Sequence, residues 1–111
     1  MAYKKERMEK IVERELSSII FSEIKDERIK FVTITNVDMT SDLSVATVFY
    51  TVLGTEDQNN ASIDALLDAS GFIRSMLAKR LEVKKVPELR FRYDESFEKG
   101  NKIEEILRNL K

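Results

Sequence analysis

The chain has 111 residues, of which 42% are hydrophobic and 35% charged, and its formal net charge is −1. This length allows one domain; the start MAYKKERMEK is too polar for a secretory signal, and no apolar run approaches the roughly 20 residues of a membrane span. Cysteine and histidine are absent, which excludes disulfides and the commonest transition-metal ligands and fits a reducing cytosol.

The first predicted element is a long helix from about Lys4 to Lys25. Its apolar residues recur at spacings of three and four, so they share one stripe. They are Met8, Ile11, Val12, Leu16, Ile19 and Ile20. Glu15 falls inside this stripe, as Arg80 does in a later helix. We therefore expect these two side chains to meet across the helix layer within about 4 Å.

Two strands follow, Phe31 to Met39 and Leu43 to Leu53, both with β-branched residues and alternating polarity. A short polar connection, Thr40 to Asp42, predicts that they form an antiparallel hairpin. In the first strand the apolar residues change from even to odd positions. This change of phase predicts a bulge near Thr35-Asn36.

A polar loop is predicted from Gly54 to Asn60, and a second helix from Asn60 or Ser62, since both residues are good caps. Its two apolar stripes are separated by Ala69-Ser70-Gly71. Glycine is unfavourable inside helices, and Gly/Ser pairs are frequent kink sites. The pattern therefore predicts two helical pieces that meet at an angle.

Pro87 introduces a third predicted strand, Glu88 to Tyr93, in which Arg90 and Arg92 face away from the apolar residues. A short amphipathic helix is predicted last. It carries Ile103, Ile106, Leu107 and Leu110. This order of elements predicts an α+β domain of two layers, with helices on one face of a small mixed sheet and the other face open.

The charges are strongly polarised along the chain. From Gly71 to Arg92 there are seven basic and two acidic residues, a balance of +5, whereas Val37 to Asp68 has six acids and no lysine or arginine. A cationic patch gains affinity for phosphate backbones by releasing counterions. Lysines and arginines at the edges of an apolar stripe also commonly cover a core, so the basic block is compatible with a purely structural role.

Catalytic motifs are absent. The chain has no phosphate-binding glycine loop, and the acid pairs Asp38/Asp42 and Glu56/Asp57 lie in predicted turns, where acids ordinarily form turns and solubilise. On the open sheet face, Phe31 and Phe49 could stack on RNA bases beside the arginines. The alternative, that they pack under a terminal segment, is the stronger interpretation.

Several segments in order resemble bacterial ribosome-binding factor A. They are RMEKIVERELSSIIFSEIKDERI, VTITNVDMTSDLSVATVFYTVLG, DASGFIRSMLAKRL and VPELRFRYDESFEKGNKIEEIL. The most specific parts are the D-x-x-x-A-x-V pattern from Asp42 to Val48, the G-F-I-R run from Gly71 to Arg74, and P-E-L-x-F-x-x-D from Pro87 to Asp94. The resemblance covers about Arg7 to Leu107.

The resemblance implies a single type II KH-like RNA-binding domain over residues 1–111, with a three-stranded mixed sheet and an Ala-x-Gly kink at Ala69-Ser70-Gly71 in place of the usual nucleic-acid loop. It also implies a cytoplasmic, non-enzymatic assembly factor without cofactors. Such a factor binds the free small (30S) ribosomal subunit and its rRNA, assists late maturation of 16S rRNA including the 5′ end, and supports growth in the cold.

The expected partners are therefore the small subunit and its rRNA; neither a membrane nor a small-molecule substrate is expected, and the chain should be a monomer. The expected RNA-binding residues combine the kink with the basic block. They are Ala69, Ser70, Gly71, Arg74, Lys79, Arg80, Lys84, Lys85, Arg90 and Arg92. The alternative is a small protein–protein adaptor that acts without RNA contact; a small enzyme is disfavoured because the usual nucleophile and base are missing.

Overall fold

A computed structural model of the chain describes residues 2–81 and 85–95. Helix α1, Ala2–Ser22, is followed by a 3-10 turn at Glu27–Ile29. The stripe anticipated from the spacing is the buried face of α1, where Val12, Leu16 and Ile19 are fully buried. Burying this stripe removes apolar surface from water and holds the helix against the sheet.

Strands β1, Val32–Met39, and β2, Val45–Val52, pair antiparallel, as predicted. The register shifts between Ile34 and Asn36, which leaves Thr35 as the extra residue of a bulge. The prediction of a bulge here is confirmed. It lets apolar residues on both sides of Thr35 face the helices although their sequence phase changes.

The connection between β1 and β2 is held by Asp42. Its Oδ1 accepts hydrogen bonds from Thr40 Oγ1 at 2.7 Å, Ser44 Oγ at 2.7 Å and the Ser44 backbone N–H at 3.1 Å. The side-chain bond from Thr40 is the largest cause that lowers the Asp42 pKa to about 2. Leu43 beside it has a φ of 63°, in the left-handed region that strains a non-glycine residue.

Helix α2 is a single α-helix, Glu56–Leu81. Two predictions are corrected here. The helix begins before Asn60, because Thr55 and Gln58 form a reciprocal cap: the Thr55 N–H donates to Gln58 Oε1 at 2.8 Å, and the Gln58 N–H donates to Thr55 Oγ1 at 3.2 Å. The helix also continues through Gly71, so it is not divided into two pieces.

Strand β3, Glu88–Tyr93, pairs parallel to β2, and the sheet order is β1-β2-β3. Its side chains alternate as predicted, with Leu89, Phe91 and Tyr93 half-buried and the two arginines exposed. The rings of Tyr50 and Tyr93 meet edge to face, with centroids 5.9 Å apart. Burial raises the pKa of Tyr50 above its ordinary value.

Both described helices contact the same side of the sheet, where the apolar core lies. The prediction of a two-layer α+β domain with a three-stranded mixed sheet is thereby confirmed. The predicted C-terminal helix around residues 101–110 lies outside the described residues. Neither α1 nor α2 is long and apolar enough to cross a bilayer, and this finding covers only the described part of the chain.

Candidate nucleic-acid interface

The Ala69-Ser70-Gly71 segment lies in the middle of α2. Ser70 Oγ donates to the Leu67 carbonyl oxygen at 2.9 Å, so its hydroxyl is engaged within its own helix. Gly71 is exposed, and a Cβ placed on it would meet no described atom within 4 Å apart from its chain neighbours and the nearby backbone of its own helix. Packing inside the protein does not require glycine here. Its missing side chain leaves helix backbone accessible to an incoming ligand.

Arg74 joins α2 to the segment before β3. Its Nε donates to the Pro87 carbonyl oxygen at 3.2 Å, and its Nη2 donates to the Val86 carbonyl oxygen at 3.0 Å. Both carbonyls precede the strand, and no backbone N–H among the described residues bonds to them. Arg74 therefore positions this connection, and two of its donors are already used inside the protein.

Arg80 faces α1, and the predicted pair with Glu15 is confirmed. Arg80 Nη1 lies 3.2 Å from Glu15 Oε2 and 2.8 Å from Ser18 Oγ, and its Nη2 lies 3.4 Å from Glu23 Oε1. About a quarter of the Arg80 side chain is exposed. Its charge is balanced by two carboxylates, so it contributes little positive potential to the outer surface.

Lys79 and Lys85 differ from the two arginines. Both are exposed, and neither has an ion-pair or hydrogen-bond partner in the described residues. Lys85 lies beside the Val86–Pro87 backbone that Arg74 holds. Lys84, which the sequence also places in this cationic group, lies outside the described residues. Lys79 and Lys85 are therefore the two cations on the helix side of the candidate interface whose charge no described acid balances.

Arg90 and Arg92 lie on the opposite side of the sheet from the helices. The register of β3 places Arg92 beside Phe49 and Arg90 beside Thr47 on β2. Arg90 Nη2 is 3.3 Å from Glu88 Oε2, whereas Arg92 has no ion-pair partner within the described ranges. The predicted cations therefore form two groups, one on the helix side and one on the sheet face, joined at the start of β3.

The acidic block, Val37 to Asp68, is partly neutralised in the fold by cations from other segments. Asp38 lies 3.8 Å from Lys5 Nζ, and Asp68 lies 3.3 Å from Arg28 Nη2. Both cations come from segments outside that block. Counting charges along the chain therefore overstates the negative potential on this part of the molecule.

Arg28 is a structural residue that the sequence did not single out. Its guanidinium binds Asp26 at 2.6 Å as well as Asp68, and its backbone carbonyl accepts a hydrogen bond from the buried Ser62 hydroxyl. Hydrogen bonding to Asp26 is the first cause that raises the pKa of Arg28, and Arg28 lowers the pKa of Asp26 in return. The only signal in the sequence was the Asp-x-Arg spacing, which is too common to be specific.

The fold places the chain among small α+β proteins of the KH-like type, with exposed cations on both layers. A family model described as ribosome-binding factor A matches residues 4–107. Ribosome-binding factor A of Staphylococcus carnosus is 48% identical over 105 residues, which cover 95% of this chain and 91% of that protein. The chain therefore belongs to the ribosome-binding factor A family.

Solved structures agree with this assignment. The crystal structure of ribosome-binding factor A from Thermus thermophilus has a TM-score of 0.70 at 26% identity and covers 80% of this chain and 93% of that one. A homology model of the Thermus thermophilus factor, fitted into a cryo-EM map of a 30S complex, has a TM-score of 0.64 at 25% identity, with 76% and 88% of the two chains covered.

Proposed function

We propose that residues 1–111 form a single RNA-binding domain that binds the small (30S) ribosomal subunit through its ribosomal RNA. The observation that carries this proposal is membership of the ribosome-binding factor A family over residues 4–107. A relative fitted into the map of a 30S complex supports the small subunit as the partner. The exposed cations supply a physical means of contact.

The specific cellular role that we propose is assistance in late maturation of 16S rRNA, including its 5′ end. We also propose that the protein contributes to growth in the cold. The protein acts as a cytoplasmic monomer by binding and not by catalysis. It needs no cofactor, small-molecule substrate or membrane. Support for this role comes from the family assignment, and it is tested by the 16S rRNA 5′ ends that accumulate in cells lacking the protein at low temperature.

The proposed contact is made mainly by Lys79, Lys85, Arg90 and Arg92, with Lys84 as a further candidate. Arg74 and Arg80 belong to the same predicted set, but the bonds that they make support a positioning role for them. Gly71 lets the RNA backbone approach α2 closely. Structured RNA is read mostly through its shape and phosphates, so few base-specific contacts are needed.

Salt dependence is the direct test of this contact. Four to five phosphate contacts predict that log K falls with log salt concentration with a slope of about −3 to −4, or roughly 100-fold between 50 and 200 mM salt. Purified protein is pelleted with separated small subunits, large subunits and whole ribosomes at graded salt. Salt-sensitive binding to small subunits is expected. Salt-insensitive binding to a protein, with no affinity for RNA, would favour an adaptor instead.

A further inference from the structure

A groove of about 460 Å³ opens between the C-terminal turns of α1 and the start of β1. This volume lies within the roughly 300–1,000 Å³ typical of ligand clefts. The apolar residues that line it come from α1, the 3-10 turn and β1. They are Ile20, Phe21, Ile24, Ile29, Val32 and Ile34. Phe21 is 91% exposed, which is unusual for an aromatic side chain with apolar neighbours beside it.

The strand that borders this groove has an open edge. Backbone bonds from Leu53 N–H to the Phe31 carbonyl and from Thr40 N–H to the Val45 carbonyl fix which β1 residues bond to β2. Antiparallel ladders alternate, so the N–H and C=O groups of Val32 and Ile34 point away from β2. Neither residue finds another backbone or side-chain partner in the described ranges.

The other end of the same edge is protected. The Met39 N–H also points outward, and Glu9 on α1 accepts its hydrogen bond at 2.7 Å. At this end α1 lies close to β1, whereas beside Val32 and Ile34 a groove separates the two elements and leaves room for another chain along the edge. Open strand edges are sites at which another extended chain can pair.

The rim of the groove carries an excess of unpaired positive charge. Lys25 and Lys30 are exposed and lack ion-pair partners among the described residues. Asp26 is bound by Arg28, so Glu27 is the acidic rim residue without an ion pair in the same ranges. An acidic side chain on the ligand would complement the two lysines.

We propose that this groove binds an extended, acidic peptide segment of a partner protein by strand addition to β1. The peptide backbone pairs with Val32 and Ile34, and its alternate apolar side chains enter the groove under Phe21. A helix would leave the strand's N–H and C=O groups unpaired, whereas an extended chain satisfies them. The site lies on the β1 edge, and the cations of the proposed RNA contact lie at the β3 side and on α2.

Hydrogen exchange in the full chain tests whether the edge is free. The amides of Val32 and Ile34 should exchange rapidly by NMR, while the Met39 amide, matched in orientation but bonded to Glu9, should be protected. Protection of Val32 and Ile34 in the monomer would mean that the chain covers its own edge. Protection that grows with protein concentration would mean that a second copy covers it. Either result overturns the proposal.

Peptide selection tests the ligand. A displayed library of random twelve-residue peptides is selected on the full chain, and the expected enrichment is for alternating apolar residues with acidic flanks. The best synthetic peptide should slow exchange at Val32 and Ile34. Its affinity should fall at least tenfold in Phe21→Glu but not in Leu67→Glu, a control at an exposed apolar residue on α2.

Methylating alternate backbone nitrogens of that peptide should also abolish binding, because strand addition needs them as donors. Absence of enrichment, or binding that Phe21→Glu does not weaken, would overturn the proposal. Pelleting of Phe21→Glu with small subunits is measured in parallel. It reports on the RNA contact and so separates the two proposals.

Discussion

At the scale of single residues, side chains of the same charge within the basic block have different roles. Arg80 is balanced by Glu15 and Glu23, Arg74 holds backbone carbonyls, and Lys79 is exposed without an ion-pair partner in the described residues. The sequence predicted the Arg80–Glu15 pair because both charges fell inside apolar stripes. It could not separate Arg74 from Lys79, because the carbonyls that Arg74 binds are backbone groups with no sequence signature.

Replacing Arg80 with methionine should destabilise the protein by about 1–2 kcal/mol, because Glu15 and Ser18 lose a partner in a partly buried interface. The free energy of unfolding is measured by urea denaturation. The matched control is Lys79→Met, one residue away and exposed, which should change stability by less than about 0.5 kcal/mol. Equal effects of the two substitutions would show that the Arg80 pair contributes nothing.

Asp42 makes the stability of the hairpin depend on pH. Its pKa is lowered to about 2 in the folded protein from an ordinary value of 3.8, because Thr40 and Ser44 donate hydrogen bonds to its carboxylate. A lowered folded pKa means that the contribution is complete above about pH 4 and is lost as the pH falls towards 2. Asp42→Asn should therefore be less stable than the parent chain at pH 5 and 7.

The difference between the two chains should shrink steadily from about pH 4 to pH 2, since only the parent titrates at this position. Urea midpoints at several pH values check this result, with Asp38→Asn as the control: Asp38 is exposed and makes one long ion pair. A pH-independent difference would show that neutral hydrogen bonding, and not the carboxylate charge, holds the turn.

At the scale of elements, the strands were easier to predict than the second helix. Alternation reports directly on which side of a sheet a residue faces, and a change of phase has one simple cause, the bulge at Thr35. The start of α2 was misplaced although the Thr55-x-x-Gln58 cap is visible in the sequence. Asn60 and Ser62 are also good caps, and propensity alone does not choose among such sites.

The two predicted pieces of α2 form one continuous helix for a tertiary reason. A glycine inside a helix costs about 1 kcal/mol relative to alanine, which is small beside the burial of the residues that follow it. Ile73 and Leu77 are fully buried, and Ala65 and Leu66 before the glycine are buried as well. One apolar stripe on each side of Gly71 contacts the same core, so the helix continues.

Gly71→Ala should raise the free energy of unfolding by about 0.5–1 kcal/mol, because alanine restricts the unfolded chain and suits a helix interior. Apart from its chain neighbours and the nearby backbone of its own helix, the added Cβ meets no described atom within 4 Å, so no clash with another element offsets the gain. Thermal or urea denaturation measures the change. A destabilised variant would show that the solution conformation at Gly71 is one that alanine cannot adopt.

The same substitution tests the proposed role of Gly71 in binding. If RNA approaches the helix backbone at this position, Gly71→Ala should weaken pelleting with small subunits although the protein is more stable. Ser75→Ala is the control, since Ser75 is an exposed α2 residue one turn further on. Unchanged binding by Gly71→Ala would remove the glycine from the proposed contact and leave only the cations.

At the scale of the whole molecule, contiguity in sequence did not predict contiguity in space. The basic block runs through α2 and β3, which belong to different layers, and the alternation within β3 turns Arg90 and Arg92 away from the helices. Acids and bases distant in sequence, such as Arg28 and Asp68, meet in the fold. The cation types of the candidate site and the sheet-face position of Arg90 and Arg92 could therefore be predicted, but the long-range ion pair between Arg28 and Asp68 could not.

The separation of the cations into a helix-side group and a sheet-face group allows a test of which side contacts RNA. One double variant, Lys79→Gln/Lys85→Gln, removes two charges from the helix side; a second, Arg90→Gln/Arg92→Gln, removes two from the sheet face. Lys4→Gln/Lys10→Gln, at exposed positions on α1, is a control with the same change in net charge. Because each lost phosphate contact reduces the salt slope by about 1, a double variant on the contacting face should lower the slope by about 2.

Comparing the salt slopes of the three double variants shows which face of the protein contacts RNA. Reduction by the helix-side variant alone would place RNA against α2 and the Lys85 connection, with the sheet face left for other contacts. Reduction by both variants requires RNA that wraps the β3 edge, because Arg92 and Lys79 belong to opposite layers. If all three variants reduced the slope equally, net charge and not a defined surface would govern binding, and the proposed contact residues would be wrong.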